Sequence, residues 1–79
     1  MDRKEIFEGL KEVIVTVKPK VDLNKITEDS SLVKDLGIDS LSMLLLSLAT
    51  ENKFNFQFAT QEPFQKVGEV VDYIEKALD

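Results

Sequence analysis

The chain has no cysteine, no histidine and no tryptophan, and only three glycines, two prolines and one tyrosine among its 79 residues. Without cysteine there is no disulfide, no thiolate metal site and no cysteine nucleophile, and nothing points to an oxidising compartment. Without histidine the usual general base is gone. So few glycines leave no glycine-rich loop to cradle a phosphate. Long apolar runs are missing as well. No window approaches the roughly 18 apolar residues of a membrane span, and the opening Met1-Asp2-Arg3-Lys4-Glu5 has no apolar signal core. The expectation is a soluble, cytoplasmic chain with no membrane insertion.

Positive charge is scarce. Ten Lys and Arg stand against fifteen Asp and Glu, a net charge of −5. Phosphate binding draws its affinity from clustered cations, and Lys18 with Lys20 is the nearest thing to a cluster, so nucleic acid is not an expected partner and basic protein surfaces are. The acids are unevenly placed: residues 21–40 and 61–79 each hold five acids against two lysines, whereas residues 41–60 hold one Lys and one Glu. The middle of the chain is neutral and greasy.

With 43% apolar and 32% charged residues, the composition is that of a globular protein. A chain this short buries only about 60% of the surface its unfolded form exposes. One domain over residues 1–79 is expected, monomeric, with a single small core and no room to engulf a substrate.

Asp2 followed by Glu5 has the spacing of a capping box, and Ile6, Leu10, Val13, Ile14 and Val17 recur at helical spacing. They predict a first helix from about Arg3 to Val17. Residues 13–17 also alternate like a strand, but the length of the pattern favours helix, and Pro19 ends the element in either case. Residues 18–38 form a long connection with apolar anchors at Val21, Leu23, Ile26, Leu32, Val33 and Leu36, and with one short helical turn expected through Ser31 to Asp35. Loops this long in small domains tend to be functional. A second helix runs from Ser40 to about Lys53 and is apolar on nearly every side: Leu41, Leu44, Leu45 and Leu48 on one face, Met43, Leu46 and Phe54 on the opposite one. One core does not easily use both, so the helix either threads the core centre or offers its second face to something outside. Phe54 to Phe58 alternates like a strand but has no partner strand, and is read as a connection whose phenylalanines plug the core. Thr60 and Pro63 suit the opening of a short third helix, and Val67, Val70, Val71, Ile74, Ala77 and Leu78 mark the last one. The expected fold is all-α: a four-helix bundle with a short third helix and a long loop between helices one and two.

Catalytic constellations are absent from this sequence, and an enzyme is not expected. Asp35 and Asp39 lack the alternating oxygen ligands of a calcium loop and are read as cap and surface charges, leaving no metal site. What stands out is Asp35-Leu36-Gly37-Ile38-Asp39-Ser40-Leu41, with a serine in the first helical turn directly after its capping aspartate. Ser40 has an ordinary reading, a plain helix start. It has a sharper one as well: its hydroxyl stands beside unpaired backbone N–H groups and the positive end of the helix dipole, which favour a phosphate attached to that oxygen.

Here the chain resembles the acyl carrier proteins. The match spans nearly the whole length, through Ile26, Ser30-Ser31-Leu32, the Asp35 to Leu41 segment, and Phe64-Gln65-Lys66-Val67-Gly68-Glu69-Val70-Val71-Asp72-Tyr73-Ile74. The resemblance implies that Ser40 receives 4′-phosphopantetheine from coenzyme A, with Asp39 and Leu41 read by the phosphopantetheinyl transferase. It implies a carrier of acyl thioesters in fatty-acid or related, including specialised, biosynthesis. The partners implied are loading and using enzymes: a synthetase, a ketosynthase, an acyltransferase. It assigns Leu41, Leu44, Leu45 and Leu48 to the partner face, with a core role as the competing reading. Met43, Leu46, Phe54, Val71 and Ile74 it assigns to the interior, as candidates for an acyl cavity.

The chain departs from the resemblance on its second helix. Many carriers place acids there, whereas this one has Ser42, Leu45 and Asn52, with Glu51 the only acid left. Partners are therefore expected to meet this helix through apolar groups, with weak dependence on salt. Two other readings stay open: a peptidyl or D-alanyl carrier using the same Ser40, and a non-catalytic docking module in which Ser40 is never modified.

Overall fold

The computed structural model describes residues 1–59 and 64–78, and the elements follow from local chemistry. Helix α1 spans Arg3–Val17. Asp2 Oδ1 accepts from the Glu5 N–H at 2.8 Å and Glu5 Oε1 accepts from the Asp2 N–H at 3.3 Å, so the capping box closes as expected. The helix stops at Lys18, whose N–H still donates to Ile14 O, because Pro19 follows. Ile6, Leu10, Val13 and Ile14 form its buried stripe.

The connection to the next helix is ordered by its own polar groups. A short 3-10 turn, Leu23–Lys25, is capped by Asp22 Oδ1 accepting from the Asn24 N–H at 3.0 Å; no apolar pattern announces it. The helical turn expected through Ser31 to Asp35 is a hydrogen-bonded turn, with Asp35 N–H donating to Ser31 O while Asp35 Oδ2 accepts from the Ser31 N–H at 2.7 Å. Ile26, Leu32, Leu36 and Ile38 plug this loop into the core. Gly37 adopts φ 66°, a left-handed conformation that a side chain would strain.

Helix α2, Ser40–Phe54, ends one residue beyond the expected Lys53, and Asn55 in the left-handed region terminates it. Helix α3, Val67–Leu78, buries Val67, Val70, Val71 and Ile74. Its start is fixed from outside. Leu32 N–H donates to Gln65 O, Val67 N–H to Ser30 O and Gly68 N–H to Glu28 O, with a single antiparallel bridge between Ser31 and Lys66. The described residues thus form three α-helices and no extended strand, an all-α fold. The opening of the expected short third helix, at Thr60 and Pro63, lies outside the described residues.

Helix α1 packs on both α2 and α3. It runs antiparallel to α2, with Gly9 against Phe54 and Glu12 paired with Lys53 at 3.3 Å. Arg3 ties three segments together: its guanidinium pairs with Glu28 of the loop and with Asp72 and Glu75 of α3. The bond to Glu28, then that to Asp72, raises its pKa further. The one fully buried hydroxyl, Thr50, donates to Leu46 O at 2.6 Å, so the core keeps no unsatisfied side-chain polar atom among the described residues.

Candidate functional site

The site is built at the start of α2. Asp39 has extended backbone and caps the helix: its Oδ1 accepts from the Ser42 N–H at 2.8 Å and its carbonyl from the Met43 N–H at 2.8 Å. The Ser42 N–H, then the Ser42 hydroxyl, hold the Asp39 carboxyl below the usual aspartate range, and the positive charge of Lys18 acts in the same direction. Of the first-turn N–H groups, those of Ser40 and Leu41 have no acceptor within the helix.

Ser40 occupies the first helical position and is exposed. Its hydroxyl therefore lies in water beside two free donors and the positive end of the helix dipole, where an anionic ester is stabilised. A cleft of about 460 Å³ opens beside it, lined by Val33, Ile38, Asp39, Ser40, Met43, Leu44 and Ser47. Ser47 Oγ donates to Met43 O at 3.0 Å, which satisfies the hydroxyl on this face. A larger cleft of about 840 Å³ lies between the end of α1 and the loop, and Ser40 is not part of its lining. The smaller one contains Ser40, an exposed first-turn hydroxyl beside N–H groups that have no acceptor within the helix.

The two faces of α2 separate as the spacing predicts. Leu41, Leu44, Leu45 and Leu48 are 67%, 57%, 48% and 54% exposed, while Leu46 and Phe54 are buried and Met43 half-buried. Val71 and Ile74 of α3 are fully buried with them. The competing core reading of the four leucines is thus set aside. Asp35 and Asp39 each cap backbone N–H groups, in keeping with their reading as cap charges. Val33 and Ile38 were not candidates from the sequence. Val33 counts there as a loop anchor, but it is 60% exposed and borders the cleft at Ser40.

Known proteins agree with this geometry. The phosphopantetheine attachment site family matches residues 9–74. An acyl carrier protein of Thermotoga maritima is 40% identical over 78 residues, covering 96% of this chain and 95% of that protein. The chain belongs to the acyl carrier protein family. An acyl carrier protein of Wolinella succinogenes is 42% identical over 72 residues, covering 89% of this chain and 93% of its own. A meromycolate extension acyl carrier protein of Mycolicibacterium smegmatis is 37% identical over 76 residues, covering 94% and 76%. The cofactor of this carrier is a covalently attached 4′-phosphopantetheine. The start of α2 fits that group: an exposed hydroxyl to esterify, two free N–H donors for the phosphate, and an Asp39 carboxylate already engaged by Ser42. Among the described residues no helix is long and apolar enough to cross a membrane.

Proposed function

We propose that Ser40 is the attachment residue of a single carrier domain, residues 1–79, that is monomeric, cytoplasmic and not itself a catalyst, and that hands acyl thioesters between enzymes of fatty-acid or related biosynthesis. One observation carries the assignment to Ser40: its hydroxyl is the exposed oxygen at the α2 terminus, beside the uncommitted N–H groups of Ser40 and Leu41. The prosthetic arm supplies the thiol that this cysteine-free chain lacks. Asp39 fixes the helix start and, with Leu41, forms the surface a phosphopantetheinyl transferase reads. Leu41, Leu44, Leu45 and Leu48 are the docking face for that transferase and for the loading and using enzymes, a synthetase, a ketosynthase and an acyltransferase. Exposed leucines on a monomer are costly unless something covers them, which supports this role.

Met43 stands at the cleft beside Ser40 and packs against the core cluster that holds Leu46, Phe54, Val71 and Ile74. This arrangement supports an acyl site entered at Met43 and bounded by those four side chains.

The test is intact-protein mass after incubation with coenzyme A and a broad-specificity phosphopantetheinyl transferase, beside Ser40→Ala. The wild type gains one phosphopantetheine and Ser40→Ala none, with the same helical circular dichroism. A gain on Ser40→Ala, or no gain on a folded wild type, overturns the assignment.

A further inference from the structure

The cleft beside Ser40 has apolar walls of Val33, Ile38, Met43 and Leu44, and three polar side chains, Asp39, Ser40 and Ser47. In the modified carrier all three accept hydrogen bonds and none has one to give. Asp39 is an ionised carboxylate, an acceptor only, and one of its oxygens already takes the Ser42 N–H. Ser40 loses its hydroxyl proton when the arm is esterified to it. Ser47 keeps its proton but spends it on Met43 O at 3.0 Å, which leaves the lone pairs of its own oxygen. The backbone along the walls is committed as well. The Ile38 N–H donates to Leu32 O and the Met43 N–H to Asp39 O, while those of Leu44 and Ser47 belong to the hydrogen-bond ladder of α2.

Ser47 is placed where an acyl chain would pass. Ser40, Met43, Leu44 and Ser47 hold the i, i+3, i+4 and i+7 positions of one helix, so the cleft follows a single side of α2 away from the attachment serine. Seven residues of helix put Ser47 about 10 Å along the axis from Ser40. Folding does not explain a hydroxyl there. A serine bonded back to the carbonyl four residues earlier slightly destabilises a helix, and alanine is the better helix former. Thr50, the next hydroxyl on this side of α2, makes the same kind of bond to Leu46 O but is fully buried and does not line the cleft. Ser47 is half-buried and does.

We propose that Ser47 selects the cargo: its oxygen accepts a hydrogen bond from a hydroxyl on the acyl chain, so that the cleft prefers hydroxyacyl groups to unsubstituted or ketone-bearing ones. This rests on the carrier reading and names the class of its cargo. A ketone brings a further acceptor into a cleft that has no proton to offer, and its dipole loses water without replacement. An unsubstituted chain fits the apolar walls but leaves the Ser47 oxygen dry and unpartnered. An ammonium group is a donor too, but apolar walls penalise a charge far more than a neutral hydroxyl.

The experiment uses the full chain, loaded at Ser40 by a broad-specificity phosphopantetheinyl transferase from amide-linked coenzyme A analogues that do not hydrolyse. The groups loaded are octanoyl and the same chain with a hydroxyl, a ketone or an amine at the β or the δ carbon. Intact mass confirms each loading, and the readouts are Tm and the backbone amide NMR shifts of Met43 and Ser47. Plain octanoyl is expected to move both amides relative to the unacylated carrier. A hydroxyl at one of the two carbons should raise Tm above that of the octanoyl form by about 4 °C, the effect of one ordinary hydrogen bond in a domain of this length. The ketone and amine forms should melt no higher than the octanoyl form. In Ser47→Ala the hydroxyl and octanoyl forms should melt together, and in Ser47→Thr, which keeps the acceptor, the gap should remain. Equal Tm for the hydroxyl and octanoyl forms at both carbons, an equal or larger rise with the ketone or the amine, or a gap that survives Ser47→Ala overturns the proposal. Amides of Met43 and Ser47 that ignore octanoyl overturn the acyl-site reading beneath it, and a folded wild type that takes up no group overturns the carrier assignment itself.

Discussion

Alanine in place of Gly9 probes the contact that sets how closely α2 approaches α1. Its Cβ would stand 2.9 Å from Phe54 Cζ, 3.1 Å from Lys53 Cε and 3.4 Å from Phe54 Cε1. The lysine stem can swing into water. The Phe54 ring is buried in the core and moves only by pushing α2 away. Two effects oppose each other. Alanine in a helix interior gains about 0.5–1 kcal/mol over glycine, and overpacking a filled core costs about 1–3 kcal/mol. Crowding wins, leaving a net loss of about 1 kcal/mol, a sizeable part of the roughly 4–12 kcal/mol expected for a chain of this length. That is a fall in Tm of about 4–8 °C, read by thermal unfolding followed by circular dichroism. Phe54→Leu removes the ring tip and should make the second substitution milder, with a coupling of at least about 0.5 kcal/mol in a double-mutant cycle. A rise in Tm for Gly9→Ala, or strictly additive effects, would refute the packing argument.

The docking face is predicted to be separable from the fold. Leu44→Asp changes an exposed side chain, so its stability should stay within about 0.5 kcal/mol of wild type while thioester transfer to partner enzymes falls; a large drop in Tm would return Leu44 to the core. Asp39→Asn tests the cap. Because the Asp39 pKa is lowered on folding, its contribution is present above the ordinary aspartate range and disappears as pH falls through the folded value. The stability gap between wild type and Asp39→Asn should therefore close in acid, and a gap independent of pH would exclude the charged cap as its source. Arg3→Gln removes the cation shared by Glu28, Asp72 and Glu75. The variant should melt lower than wild type at low salt, with the deficit shrinking as salt screens the remaining carboxylates. A deficit unchanged by salt would point to lost packing of the arginine stem.

What could be read in the sequence was local. Asp2 and Glu5 fix one end of α1 and Pro19 the other, so its span follows from residues within a few positions of each end. Asp39 and Ser40 declare the start of α2 in the same way, which is why the candidate serine was legible. Helical spacing separated Leu41, Leu44, Leu45 and Leu48 from Met43, Leu46 and Phe54, but spacing alone does not say which face a core will take. What stayed hidden depends on distant contacts. The start of α3 at Val67 is set by hydrogen bonds to Ser30 and Glu28, more than thirty residues away. The 3-10 turn at Leu23 hangs on one side chain, Asp22. Val33 and Ile38 join the cleft at Ser40 only because the loop folds back over α2, a fact with no signature in their spacing.

The exposed leucines have a plain physical cause. A 79-residue chain has too little interior to absorb an all-apolar helix, so the inner face of α2 completes the core and the outer face is left over. Many monomers blunt such a face with charge, and here Glu51 and Lys53 are the only charges on α2, both in its C-terminal half. Selectivity among partners must then come from beyond the helix. At the Ser40 end Lys18, Lys20 and Lys25 stand among Asp22, Asp35 and Asp39, whose carboxylates keep their charge while each accepts a backbone N–H. An apolar face provides area without discrimination, and charges of both signs around it can reject a surface whose pattern does not match before the leucines are covered.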